Sequence, residues 1–255
     1  MTPTNSIRKF FAECFRNYLD DIRAQIPEFP IEYRYPDGNP VRPVLPIADE
    51  RKEIILVGAF PSARFERRNG KLIPVGDNLS PFGQEKYFDG QAIRYQASRD
   101  ILDEHYFPKL EINANDVWIT DLVKVYLFPD KHISNCRAIN PAIAYTNTHG
   151  LFPEIANASY GWLEKEIGLC QPKFIITLGE VVARVVSKDT KTDTSELLNG
   201  ELRPISFGNL ESHIAHLGHP EIWRRNTNNW RMKTENAITK LAKQLRENRN
   251  NWCEH

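Results

Sequence analysis

The sequence predicts a three-layer α/β/α fold around a central, mostly parallel, four-stranded sheet. Short apolar runs point to it first: EIILVG at 53–58, the start of VWITDLVKVYLF at 117–128 and FIITLG at 174–179 have the length and composition of strands buried on both faces. Helical stretches separate these runs, so successive strands are joined by crossovers, and crossovers make strands parallel. The third run leads straight into EVVARVVS, whose apolar residues fall at helical spacing.

Each element follows in chain order. Residues 5–25 read as an amphipathic helix in which Phe11, Phe15, Tyr18 and Ile22 form the buried stripe. Residues 27–46 hold six of the 17 prolines, which fix φ and remove donors, so this stretch is an extended connector. After the strand at 53–58 comes a loop, NGKLIPVGDNLS, at 69–80, and then a helix at 91–105. The remaining strands are expected from 117, at 174–179, and as short pieces at 205–207 and 213–218, with a closing helix at 234–248. Residues 1–50 are thus an N-terminal helix and connector packing on a core domain of 51–250. No repeat or low-complexity tract interrupts it. In such sheets the working residues lie beyond the carboxyl ends of the strands. The places for chemistry are therefore GAFPS after the first strand, TDLVK at the second, GE after the third and GHP after the last.

Composition narrows the class. With 41% hydrophobic and 11% aromatic residues among 255, the chain has apolar surface enough to offset its conformational entropy, which excludes a disordered protein. The 33 basic and 33 acidic residues cancel, which excludes a uniformly basic surface but not a segregated one. Between Arg224 and Arg249 stand eight Lys/Arg against Glu235 and Glu247 alone, and Arg64, Arg67, Arg68 and Lys71 make a second basic group. Acidic residues collect elsewhere, as from Asp100 to Glu111. Cys14, Cys136, Cys170 and Cys253 show neither CxxC nor zinc spacing and read as reduced thiols. No apolar leader and no stretch of about eighteen apolar residues is present, so a cytoplasmic, unanchored monomer is expected. GxxxxGK[ST] and GxGxxG are missing, which argues against a nucleotide-binding hydrolase.

Four segments carry the functional signal: Gly58-Ala59-Phe60-Pro61-Ser62, Gly76-Asp77-Asn78-Leu79-Ser80, Asp121 at a strand end, and His219-Pro220 running on to Asn228. In order and spacing they resemble the uracil-DNA glycosylase superfamily, most nearly its family five, the broad-specificity bacterial and archaeal branch. That branch has a Gly-Leu-Ala-Pro turn, then Thr-Gly-Arg-Met-Phe-Thr-Gly-Asp-x-Ser, then His-Pro-Ser followed by Asn-Thr-Asn. The counterparts here are GAFPS, NGKLIPVGDNLS and HPEIWRRNTNN, and the match runs over roughly residues 53–245.

The resemblance implies a monofunctional DNA glycosylase that flips a damaged or modified base out of DNA and leaves an abasic site, in repair or in attack on foreign DNA. Breaking an N-glycosidic bond builds positive charge on the sugar and negative charge on the base, so an anion and a donor are needed. By position Asp77 is the carboxylate beside the sugar and His219 the donor to the base carbonyl. Gly58, Ala59, Phe60, Pro61, Phe82 and Asp121 would bind the base, while Ser62, Arg64, Trp223, Arg224, Arg225 and Asn226 would contact DNA. Trp223 is the candidate wedge, since relatives insert a side chain after His-Pro. The family's stacking aromatic would fall near Pro74, which leaves Phe60, Phe82 or Tyr87 for that role. Other branches carry a polar catalyst where Ala59 and Phe60 stand. No cofactor or metal is implied, because Val125-Tyr126 occupies the place of an iron-cluster ligand.

Plainer readings stand beside these. Gly-Asp and His-Pro are common turns, Asp121 fits a turn cap, and Trp223 fits a core. Relatives with an Asn near position 121 read uracil with its amide; an ionised Asp only accepts, which suits the exocyclic amine of a cytosine-type base. The alternatives are a catalytically inactive DNA-binding protein of the same fold and a uracil or hypoxanthine repair glycosylase.

Overall fold

The computed structural model describes residues 3–48, 50–142 and 145–252. Its strands are β1 (Ile54–Gly58), β2 (Ala63–Arg68), β3 (Lys71–Asp77), β4 (Tyr87–Phe88), β5 (Ile93–Arg94), β6 (Val117–Asp121), β7 (Phe174–Leu178), β8 (Arg203–Phe207) and β9 (Leu210–Leu217). Its helices are α1 (Pro3–Gln25), α2 (Ala97–Ile101), α3 (Phe107–Leu110), α4 (Asp130–Ile139), α5 (Phe152–Cys170), α6 (Glu180–Ser187), α7 (Thr194–Leu197), α8 (Pro220–Arg225) and α9 (Trp230–Trp252). A π-helical turn, Leu102–Tyr106, joins α2 to α3.

The central sheet has the order β6-β1-β7-β9-β8. β6, β1, β7 and β9 run parallel, as the sequence predicts, and β8 adds a fifth, antiparallel edge strand. The sheet thus has five strands where four are expected: a tight return through Gly208, at φ +59°, folds 203–217 into a hairpin, so both short runs expected at 205–207 and 213–218 enter it. Alternate residues of the parallel strands serve opposite layers. Ile55, Val57, Trp118 and Ile175 pack with α1, α5 and the connector, while Ile54, Leu56, Ile176 and Leu217 pack with α2, α3 and α9. Both faces are covered, the condition under which parallel strands are continuously apolar.

The buried face of α1 runs through Ile7, Phe10, Cys14, Tyr18 and Ile22, and Phe15 is 56% exposed. The expected stripe was off by one position at Phe11 and Phe15. Trp162 of α5 fixes the true face, with its ring 6.0 Å from Phe10 and 5.9 Å from Tyr18. The connector is extended but not peripheral: Phe29, Tyr33, Tyr35, Val41, Val44 and Leu45 are all buried. Two further expectations fail locally. The loop at 69–80 is largely the β2–β3 hairpin, closed by Asn69 and Gly70 at φ +49° and +75°, the pair of positive angles that an Asn-Gly hairpin turn uses. The helix expected at 91–105 starts only at Ala97, because 87–94 form a second small hairpin.

Below the carboxyl end of β6 lies a buried ion pair. Lys124 Nζ donates to Glu166 Oε2 at 2.5 Å, to the Asp121 carbonyl at 2.6 Å and to Thr120 Oγ1 at 2.8 Å. Trp118 Nε1 and Thr120 Oγ1 donate to the same Glu166 carboxylate, at 2.7 and 3.2 Å, and neither charged side chain is exposed. Cys14, Cys136 and Cys170 are buried, and burial pushes the Cys14 thiol up to about 12; Cys253 lies outside the described residues. No helix among the described residues is long and apolar enough to cross a membrane.

Removing one partner of a buried pair strands the other charge, so Lys124→Met is expected to cost about 3–5 kcal/mol in urea unfolding. Replacing both, Lys124→Met with Glu166→Leu, is expected to recover most of that loss; a single variant no worse than the double would mean that the pair is not desolvated as described.

Candidate active site

The ends of β1, β6 and β9 open into a cleft of about 450 Å³. Ala59, Phe60, Pro61 and Ser62 line it after β1, Asp121 at the end of β6, and His219 after β9. β1 and β6 continue side by side past the sheet, with Leu122 N donating to Gly58 O at 2.8 Å and Val123 N to Ala59 O at 2.9 Å. Gly58 and Asp121 are register partners, and a Cβ on Gly58 would stand 2.2 Å from Asp121 Oδ1 and 2.4 Å from the Phe82 ring. Gly58 does not line the cleft. It leaves the space in which the carboxyl and the ring converge.

Asp121 is buried, and its Oδ1 has no hydrogen-bond partner. Burial pushes its carboxyl up to about 7, against the pull of the Lys124 ammonium and with help from the Glu166 charge. This corrects the expectation of an ionised, acceptor-only group. Below about pH 7 the side chain is mostly a carboxylic acid, with a donor as well as an acceptor, and at neutral pH both forms are present.

His219 is the N-cap of α8, and its Nδ1 accepts from Glu221 N at 3.1 Å. An accepting Nδ1 places the proton of the neutral ring on Nε2. Burial is also the main cause that pushes this imidazole down to about 4, so at pH 7 it is a neutral donor. The Gly218 carbonyl accepts from the buried Tyr106 hydroxyl at 2.8 Å, and a Cβ on Gly218 would stand 2.5 Å from Thr234 Oγ1 of α9. The Gly-His-Pro turn is therefore seated against two helices. Phe82 faces His219 with ring centroids 5.9 Å apart, and it holds a left-handed φ of +47°, an unusual backbone for an aromatic residue. Arg99 donates to its carbonyl at 3.1 Å.

A family model described as the uracil DNA glycosylase superfamily matches residues 46–246. The chain belongs to the uracil DNA glycosylase superfamily. No curated protein matches it. The superfamily match takes in the whole sheet and leaves out α1 and nearly all of the connector.

The remaining residues that the superfamily resemblance singled out are distributed unevenly. Asp77 ends β3 and does not line the cleft: Tyr35 Oη donates to its Oδ1 at 2.7 Å and Arg42 N to its Oδ2 at 3.1 Å. Arg64 Nε donates to the Asp77 carbonyl at 2.8 Å. Arg225 reaches the cleft, but Glu221 pairs with both Arg224, at 2.6 Å, and Arg225, at 3.0 Å. Asn226 is exposed in a left-handed turn at φ +49°. Trp223 is only 7% exposed, packed 4.0 Å from the His105 ring and 4.7 Å from the Arg231 guanidinium, so it does not protrude as a wedge.

Sequence reasoning missed one wall of the cleft. Phe65, Tyr126, His132 and His149 line it beyond Phe60, whose ring lies 5.4 Å from that of His149. His132 Nδ1 is hydrogen-bonded to Tyr126 Oη, and burial pushes this imidazole down. These residues come from β2, the stretch after β6, α4 and the approach to α5, and no local pattern links them.

The protonation of Asp121 has a measurable sign. Its pKa is raised on folding from 3.8 to about 7, so the native state holds the extra proton and stability falls as pH rises across that window. Asp121→Asn lacks this loss, so its melting temperature is expected to gain on the wild type between pH 4 and pH 8; a constant difference would show an ordinary, solvated carboxylate.

Proposed function

We propose that the protein is a monofunctional DNA glycosylase that takes a pyrimidine base of cytosine or uracil type out of DNA and hydrolyses its N-glycosidic bond. One observation carries this reading: a neutral His219 Nε2–H donor and the buried carboxyl of Asp121 line the same cleft at the strand ends. The superfamily membership and the GAFPS, NGKLIPVGDNLS and HPEIWRRNTNN segments support it, and the last favour the family-five branch without its iron-cluster cysteines.

Bond breaking sends the C1′–N electron pair onto the departing base. His219 donates from Nε2 to the base carbonyl oxygen as that charge grows, and because the ring starts neutral it stabilises the anion without requiring acid. Water then adds to C1′ and loses its proton to solvent while the departed base anion takes one up, leaving an abasic sugar and a free base. Phe82 supplies an apolar face for the extruded ring. Asp121 reads the base edge: as an acid it donates to N3 of cytosine and accepts from the exocyclic amine, and with the two roles exchanged it fits O4 and N3–H of uracil. A modified cytosine stays within this class, and repair or defence against foreign DNA is the corresponding role, carried out by a cytoplasmic monomer.

Asp77 acts here through position. With both oxygens engaged by Tyr35 and Arg42, it fastens the connector to the β2–β3 hairpin. A second reading, a DNA-binding protein that has lost catalysis, is favoured by one feature: of the carboxylates lining the cleft, Glu221 is paired with two arginines and burial opposes the ionisation of Asp121, so neither is a free anion for a cationic sugar.

Duplexes carrying uracil, hypoxanthine, cytosine and 5-substituted cytosines, assayed for alkali-sensitive cleavage, separate these readings. Release of a pyrimidine is expected, with His219→Ala lowering kcat about 10²- to 10³-fold. Release should decline as pH rises through about 7, and Asp121→Asn should abolish that decline. Binding without release of any base would establish the non-catalytic reading. For Asp77→Asn the expectation is a stability loss of roughly 1 kcal/mol with kcat within about tenfold of the wild type. An unchanged melting temperature with a hundredfold or larger fall in kcat would instead return Asp77 to the sugar.

A further inference from the structure

A base leaves the stack only when its neighbours are held open, and proteins do this by inserting an apolar side chain at the base step. The position where relatives carry such a wedge is occupied by Trp223, which is packed inside the fold. An apolar element does stand exposed at the cleft. Phe88 of β4 pairs directly with Ile93 of β5, which puts these two on one face of the small hairpin, and Tyr95 follows just past the strand. They are 65%, 66% and 54% exposed, whereas Tyr87 and Arg94, on the other face, turn inward.

The hairpin is rigid and adjoins the mouth. The Asp89 carboxylate, itself buried, accepts from Gln91 N at 2.8 Å, Ala92 N at 2.7 Å and Arg94 Nε at 2.6 Å. Arg67 N donates to the Asp89 carbonyl at 2.7 Å, and Phe65 N to Tyr87 Oη at 2.9 Å, so the hairpin is fastened to the edge of β2. Phe65 lines the cleft, as do Gln96 and Ser98, which follow Tyr95 in the chain. Arg94 is paired with Asp89, which leaves the exposed Lys86 as the uncompensated charge of residues 86–95, of the sign that a phosphate backbone attracts.

We propose that the β4–β5 hairpin enters duplex DNA beside the extruded nucleotide, with Phe88 and Ile93 packing against the exposed neighbouring base pair and Tyr95 against its sugar edge. The proposal rests on the glycosylase reading for its substrate. Its geometry is independent of His219 and Asp121.

The test is a Phe88→Ala/Ile93→Ala double variant, whose two side chains are exposed and whose melting temperature should match the wild type. Single-turnover release of the target base from duplex is expected to fall roughly tenfold or more, with release from the same strand unpaired left unchanged. In parallel, 2-aminopurine placed next to the target should brighten when the wild type binds duplex and stay quenched with the variant. Equal losses on both substrates, or no loss and the same fluorescence gain, would overturn the proposal. So would a wild-type dimer that the variant dissolves without any change on duplex, which would make the face a contact between copies. Should the wild type release no base at all, the glycosylase reading fails, and the 2-aminopurine signal still decides for or against the hairpin.

Discussion

Lys124 holds the molecule together at the point where its layers meet. Its ammonium, fully buried, bonds to Glu166 of α5, to Thr120 and to the carbonyl of Asp121, while its backbone N–H donates to Tyr18 of α1 and its carbonyl accepts from Val44 of the connector. Desolvating an ammonium and a carboxylate is costly, and the cost is offset only because every donor finds a fixed acceptor. The consequence reaches the cleft directly. A chain clamped at Thr120, Asp121 and Lys124 has little freedom at the residue between them, so the Asp121 carboxyl is held in an apolar crevice that it would otherwise leave for water.

The same desolvation acts with opposite sign on the two groups of the cleft. It raises Asp121 to about 7 and lowers His219 to about 4, and the result is a neutral imidazole at physiological pH beside a carboxyl that keeps much of its proton up to the edge of that range. A base is itself neutral before its bond breaks, so a pocket of neutral donors and acceptors can read its edge without first stripping water from a full charge. In the proposed reaction charge appears only as the bond breaks, where an oriented Nε2–H has most effect. Pre-organisation comes from local chemistry: Nδ1 is engaged by the helix it caps, and Gly58 and Phe82 adopt the positions that leave room for the carboxyl.

What the sequence made legible follows from how local each signal is. The parallel strands were visible because a strand buried on both faces is an unbroken apolar run, and Asp121 and His219 were found because strand ends mark the site in such sheets. The face of α1 was misread by one position because aromatic spacing alone does not say which ring Trp162 will meet. The β2–β3 hairpin carries a signal in Asn69-Gly70, but Pro74 and Gly76 give the second strand the composition of a loop. Nothing local could show that Trp223 packs between His105 and Arg231, or that Phe65, Tyr126, His132 and His149 share one wall. Those contacts join segments far apart in the chain.

The connector supplies the partners of Asp77, the carboxylate that the resemblance implies beside the sugar. The superfamily match begins at residue 46, and the chain ahead of it contributes Tyr35 and Arg42, the two groups that hold Asp77. Tyr35 is itself buried and stacked 6.1 Å from Tyr126, which in turn lines the cleft and bonds to His132. A segment ahead of the matched region thus enters the core beside the cleft and engages a carboxylate of the matched domain. Two hydrogen bonds to a half-buried carboxylate, one from a rigid phenol and one from the backbone, are not given up without stranding a buried hydroxyl. Asp77 therefore stays with the connector, and in the proposed reaction the cleft relies on the two groups at the strand ends, Asp121 and His219.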